Sequence, residues 1–226
     1  MSSIGTFEDF RKFAVSNTKA NGDVLDGQVK NFVYPTIVEE RSSNIRANEM
    51  NVFSRLVQDR IIFLSGEVSS ESMDTITAQL LYLDSIDNRE INIYINSVGG
   101  DCYSGLELVS VMNFVKSDVS TTVLGLAASM GAVISSSGAK GKRFLLPYSR
   151  FMIHQPSSSS GYFVKFTDSK VALREMESVR EDLYHILADN SGKPFDEIVE
   201  LCENGDKWFK GEEAVENGFA DSVIRR

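Results

Sequence analysis

The feature that most constrains this chain is an alternation of short apolar runs with stretches of helical periodicity. Arg60-Ile61-Ile62-Phe63-Leu64-Ser65-Gly66 is an apolar run closed by glycine, which predicts a buried strand. Ser70 is placed to cap a following helix in which Met73, Ile76, Leu80 and Leu83 share one face. Ile91 to Asn96 alternates with period two, a strand with one wetter face, and Ser97-Val98-Gly99-Gly100 predicts a tight turn. Leu106, Val109 and Met112 or Asn113 then mark a helix, Thr121 to Leu124 a strand, and Ser129 to Ser137 a helix. Short strands at Arg143–Leu146 and Phe151–His154 flank Pro147. The longest helix runs from Asp168 to Asn190, with Met176, Val179, Leu183, Ile186 and Leu187 in step, and Pro194 opens another. Strand–helix–strand alternation of this kind predicts α/β architecture with βαβ crossovers and a largely parallel sheet.

A chain of 226 residues with 42% hydrophobic content suffices for one substantial core. Residues 1–35 read as an extension, a loose terminus or a removable pro-segment, with Phe7, Phe10 and Phe13 at helical spacing; residues 36–226 read as the main domain. The net charge of −9 argues against nucleic acid or anionic lipid as the main partner. The two cysteines, Cys102 and Cys202, form neither a disulfide framework nor a zinc-binding spacing, so no metal is expected and a reducing, cytoplasmic setting is. No apolar run is long enough to span a membrane, and residues 1–30 lack the pattern of a secretory signal.

Chemistry concentrates at Gly125-Leu126-Ala127-Ala128-Ser129-Met130-Gly131, where an apolar strand gives way to a helix. A serine at such a turn exposes its hydroxyl, and the backbone N–H groups that follow point toward whatever it attacks. It needs a base, and His154, one of two histidines, closes a later apolar run. Each alone has a plainer reading, Ser129 as a helix cap and His154 as a core histidine. A third, acidic member cannot be chosen by spacing among 32 carboxylates, and Asp206 alone reads as a turn aspartate. The backbone N–H groups of Gly100 and Met130 are candidate donors to an oxyanion. Cys102 is a rival nucleophile without a visible activating environment. His185 reads as a surface or packing residue, and Lys140-Gly141-Lys142-Arg143 as a solvated turn.

Taken together, these segments resemble the Clp protease proteolytic-subunit family. The matching stretches are Phe53-Ser54-Arg55-Leu56, Ile95-Asn96-Ser97-Val98-Gly99-Gly100, Asp118-Val119-Ser120-Thr121, Ala127 to Ala132, Gly138 to Arg143, Met152-Ile153-His154-Gln155-Pro156, Glu213 to Gly218 and Asp221-Ser222. The resemblance runs from about Val38 to Ile224 and implies a spiral of βαβ units, shared with the crotonases, with a protruding handle helix. It implies Ser129 as nucleophile, His154 as general base and acid, Asp206 as orienting carboxylate, and Gly100 and Met130 as oxyanion donors, with no cofactor. It also implies two stacked seven-membered rings, an unfolded polypeptide substrate, and an AAA+ unfoldase partner docked at Tyr94, Phe114, Leu124, Phe144 and Ile224.

The chain departs from the family pattern in four places. Val98 stands where the family has proline. Ser157 to Ser160 replace a glycine-rich strand, with two residues added nearby. Placing Asp206 on the family's acid needs one inserted residue between Cys202 and Gly205, and Gly205 stands where arginine is usual. Asn92 and Thr122 are polar where the unfoldase pocket is usually apolar. The alternatives are a catalytically silent subunit of a mixed complex and a crotonase-like acyl-CoA enzyme.

Overall fold

The structure, a computed structural model, describes residues 36–39, 48–157 and 166–225. The spacing of Phe7, Phe10 and Phe13 and most of the Ser157–Ser160 tract lie outside the described residues. Chain contacts divide the protein into two compact units, Met1–Leu56 and Val57–Arg226. The first holds an antiparallel pair, β1 (Thr36–Glu39) and β2 (Asn48–Asn51), and the start of helix α1 (Val52–Gln58).

The second unit is the α/β body that the alternation predicts. Parallel strands β3 (Ile61–Val68), β4 (Ile91–Gly100) and β5 (Val119–Ala128) lie side by side in chain order. Helix α2 (Ser70–Ile86) links β3 to β4, and α3 (Cys102–Phe114) links β4 to β5. Beyond β5 the sheet divides. Strand β6 (Arg143–Leu145) pairs with the first half of β5, and β7 (Arg150–Ile153) with its last three residues. Strand β8 (Lys207–Lys210) is antiparallel to β7, and β9 (Ser222–Val223) lies beside β6. The remaining helices among the described residues are α4 (Met130–Ser136), α5 (Phe166–Ser191), α6 (Phe195–Glu203) and α7 (Gly211–Glu216).

The core follows from residue pattern. Ile91, Ile93 and Ile95 are wholly buried on one face of β4 while Asn92, Tyr94 and Asn96 face outward. Met73, Ile76, Leu80 and Leu83 all lie on the buried face of α2. Each such side chain contributes roughly 1.5–3 kcal/mol on burial. Val179, Leu183 and Leu187 of α5 join this core, whereas Val171 and Leu173 in its first half are well exposed.

Several local expectations shift. The cap of α2 is Ser69, whose Oγ accepts from Ser72 N–H while Ser72 Oγ accepts from Ser69 N–H, a reciprocal capping box that Ser70 does not make. The Ser97–Gly100 stretch stays within the sheet, paired to β3 through a bulge, instead of leaving it as a turn. The Lys140–Arg143 cluster is only partly solvated. Arg143 is buried, gripping both carboxylate oxygens of Asp221 at 2.7 and 3.0 Å and the Asn190 carbonyl at 2.7 Å. Burial alone would raise the Asp221 carboxyl, but the Arg143 hydrogen bonds overcome it and hold the group below its ordinary value.

Candidate active site

The site forms where β5 and β7 end together. Parallel pairing sets Ala128 opposite Met152, and Ser129 N–H donates to Met152 O at 2.9 Å. Ser129 is therefore fixed at the strand end, and His154 follows two residues after Met152. The Ser129 backbone takes φ 54° and ψ −124°, a region that non-glycine residues avoid. Such a conformation costs on the order of 1–3 kcal/mol and turns the side chain out of the sheet line. Met130 then starts α4, and Ala132 N–H closes onto Ser129 O at 2.9 Å. Ser129 makes no side-chain cap bond, so its hydroxyl is not spent on the helix. Instead its Oγ lies 2.8 Å from His154 Nε2.

Asp206 reaches the same place by register. Antiparallel pairing of β7 with β8 sets Ile153 opposite Lys207, so the next residues outward are His154 and Asp206. Asp206 Oδ1 lies 3.9 Å from His154 Nδ1, longer than a hydrogen bond, with the aspartate side chain 59% exposed. Gln155 N–H donates to Cys202 O at 3.0 Å, fastening the end of α6 beside the histidine strand.

Gly99 borders the serine from the β4 side, whereas Gly100 packs against Val68 of β3. A Cβ at Gly99 would stand 2.7 Å from Ser129 Cβ and 2.9 Å from Met130 N, so only glycine admits this approach. Both glycines hold positive φ, 89° and 151°. Beside Ser129 lies a small cleft of about 20 Å³, lined by Val133, Ile153, Leu183 and Leu187 together with His154 and Tyr184. Cys102 also lines it, but burial, and secondarily Asp101, pushes that thiol up, away from the thiolate form a nucleophile needs. His185 is exposed at the surface, its ring 4.5 Å from that of Phe195 at a tilt of 32°.

Sequence reasoning missed two groups. The cleft wall from α5 is an i, i+4 pair, Leu183 and Leu187, which the sequence shows only as core periodicity. Ser97, which the sequence shows only as the start of the glycine segment, is buried, and its hydroxyl joins Gly66 O of β3 to Gly99 N–H. The residues expected to dock a partner fall partly into one row. Sheet register sets Tyr94 beside Thr122 and Thr122 beside Phe144, and Ile224 N–H bonds Leu145 O. Leu124 follows two residues along β5, whereas Phe114, 78% exposed, lies at the end of α3. Among the described residues no cluster of three or more His, Cys, Asp or Glu is placed to hold a metal, and no helix is long and apolar enough to cross a membrane.

A parallel α/β sheet with a strained serine at a strand–helix junction, hydrogen-bonded to histidine, defines the serine-hydrolase class of site. Residues 44–226 match the family model described as Clp protease. The chain is similar to the ATP-dependent Clp protease proteolytic subunits of Bacteroides fragilis (43% identical) and Bacteroides thetaiotaomicron (44%). Each alignment covers 96% of this chain and 98% of the relative. It is also 44% identical to the subunit of that name from Streptococcus thermophilus, over 84% of this chain and 96% of the relative. The chain belongs to the Clp protease family.

Proposed function

We propose that this chain is the proteolytic subunit of a Clp-type protease, a serine endopeptidase in which Ser129 attacks the peptide carbonyl. The observation that carries the reading is the 2.8 Å contact between Ser129 Oγ and His154 Nε2 in a chain of this family. His154 takes the hydroxyl proton as Ser129 adds to the carbonyl carbon, and returns it to the leaving amine. The N–H groups of Gly100 and Met130 receive the negative charge that develops on the carbonyl oxygen, such donors being worth on the order of 3 kcal/mol each. Water, deprotonated by the same imidazole, then releases the acyl group.

Asp206 is the orienting acid of this scheme. Its register opposite His154 supports the role, and catalytic hydrogen bonds of this kind are often long until substrate binds. The relatives' printed name, proteolytic subunit, supports polypeptide as the substrate.

The relatives' names carry ATP dependence, and the triad itself consumes no nucleotide and needs no cofactor. That division supports an AAA+ unfoldase as partner, docked on the row of Tyr94, Leu124, Phe144 and Ile224 with Phe114 nearby. Exposed Val171 and Leu173 on α5 support self-assembly into stacked heptameric rings through the handle helix. Residues 36–226 form the peptidase domain, with 1–35 as its extension, and two free cysteines fit a cytoplasmic setting. The test is hydrolysis of a fluorogenic apolar peptide by the purified full chain. Wild type turns it over and Ser129→Ala does not; equal turnover by both would overturn the assignment.

A further inference from the structure

We propose that Ser97 is a positioning residue for the oxyanion donors, resting on the reading above that Ser129 is the nucleophile. Ser97 is 1% exposed and sits where β3 and β4 slip register, Gly66 pairing with Ser97 but Glu67 with Gly99. One extra residue, Val98, is bulged outward and 60% exposed. An extra residue breaks the run of ladder hydrogen bonds at that point. The Ser97 hydroxyl bridges the break: Oγ donates to Gly66 O at 2.6 Å and accepts from Gly99 N–H at 3.1 Å. The ladder resumes at once, with Asp101 N–H donating to Val68 O at 2.8 Å. A single hydroxyl thus ties the Gly66 carbonyl of β3 to the Gly99 N–H of β4 across the bulge.

The same side chain also backs the other donor. A Cβ on Gly131 would lie 3.2 Å from Ser97 Cβ and 3.3 Å from Ser97 Oγ, so the first turn of α4 rests on Ser97 just after Met130. Ser97 therefore touches both the glycine turn and the helix start, the two segments that supply the Gly100 and Met130 N–H groups. It touches no reacting atom and acts through backbone placement.

Removing the hydroxyl leaves Gly66 O and Gly99 N–H without their bridge, and the glycine turn gains freedom. That loss bears on the transition state, where the oxyanion forms, and little on ground-state binding. The experiment compares wild type, Ser97→Ala and Ser97→Cys, the last placing a larger, weakly hydrogen-bonding thiol where the hydroxyl stood. Peptide kcat and KM are measured with affinity for a peptide boronate, which forms a tetrahedral adduct, and for the cleaved product peptide. Size-exclusion elution confirms equal assembly. The expected result is a roughly ten- to hundredfold fall in kcat for Ser97→Ala. KM and product affinity should stay within about twofold, with boronate affinity falling in step with kcat/KM and Ser97→Cys intermediate. If Ser97→Ala does not assemble, the Ser97→Cys values decide alone. Unchanged kcat, or equal losses for boronate and product, would overturn the proposal. Ser129→Ala runs alongside: retained turnover there would instead remove the nucleophile assignment, leaving the two failures distinguishable.

Discussion

Gly99→Ala probes the tightest approach in the site. Two effects add. Gly99 holds φ +89°, where an L-residue loses about 1–2 kcal/mol. The new methyl would also stand 2.6 Å from Ala128 O, 2.7 Å from Ser129 Cβ and 2.9 Å from Met130 N, mostly backbone atoms that cannot swing aside. Overpacking of this kind costs a further 1–3 kcal/mol or so, giving about 2–5 kcal/mol in all. Gly141→Ala separates the terms, because Gly141 has a similar φ of +83° with open space around it. It should lose only the conformational part. Urea unfolding measures both midpoints, and the peptide assay measures both rates. Relief of the clash at Gly99 must move Ser129 or Met130. A displacement near 1 Å costs about a hundredfold in rate, so Gly99→Ala should be nearly inactive and Gly141→Ala near wild type. Equal midpoints and equal rates for the two variants would refute the claim that glycine is required at position 99 by approach to the nucleophile.

Two further outcomes follow from the titrating groups. Asp221 has a folded value below its unfolded one, so its ionised form contributes stability above about pH 4 that is lost as pH falls through the lower folded value. Wild type should therefore lose stability on the acid side more steeply than Asp221→Asn in urea titrations from pH 7 to 3; parallel curves would contradict the Arg143 pairing. The Cys202 thiol is pushed up to about 12 by burial and then by Glu203. It should resist iodoacetamide at pH 8 in the folded chain and react in urea, as peptide mass mapping would show; fast native alkylation would contradict its burial.

Much of the fold is legible in the sequence because it depends on local periodicity. The period-two pattern of Ile91 to Asn96 and the i, i+3, i+4 pattern of Met73 to Leu83 each encode one buried face, and both faces are buried as expected. The serine turn is legible for the same reason: small residues flank a position whose backbone takes φ 54°. What was hidden depends on tertiary register. Asp206 meets His154 because β8 pairs antiparallel with β7, and no spacing rule encodes that. Arg143 looked solvated beside Lys140 and Lys142, but its partner Asp221 lies 78 residues downstream. Ser97 was silent because a hydroxyl that bridges a bulge has no periodic signature. The bulge itself turned an expected Gly-Gly turn into a continuing strand.

The catalytic scheme requires that His154 activate Ser129. Its most direct test is intact-protein mass spectrometry after exposure of the assembled full chain to a fluorophosphonate, with the adduct mapped by peptide sequencing. The expected result is one adduct per chain on Ser129, absent in Ser129→Ala and formed far more slowly in His154→Ala. An adduct at another residue, or one formed equally fast without the imidazole, would contradict it.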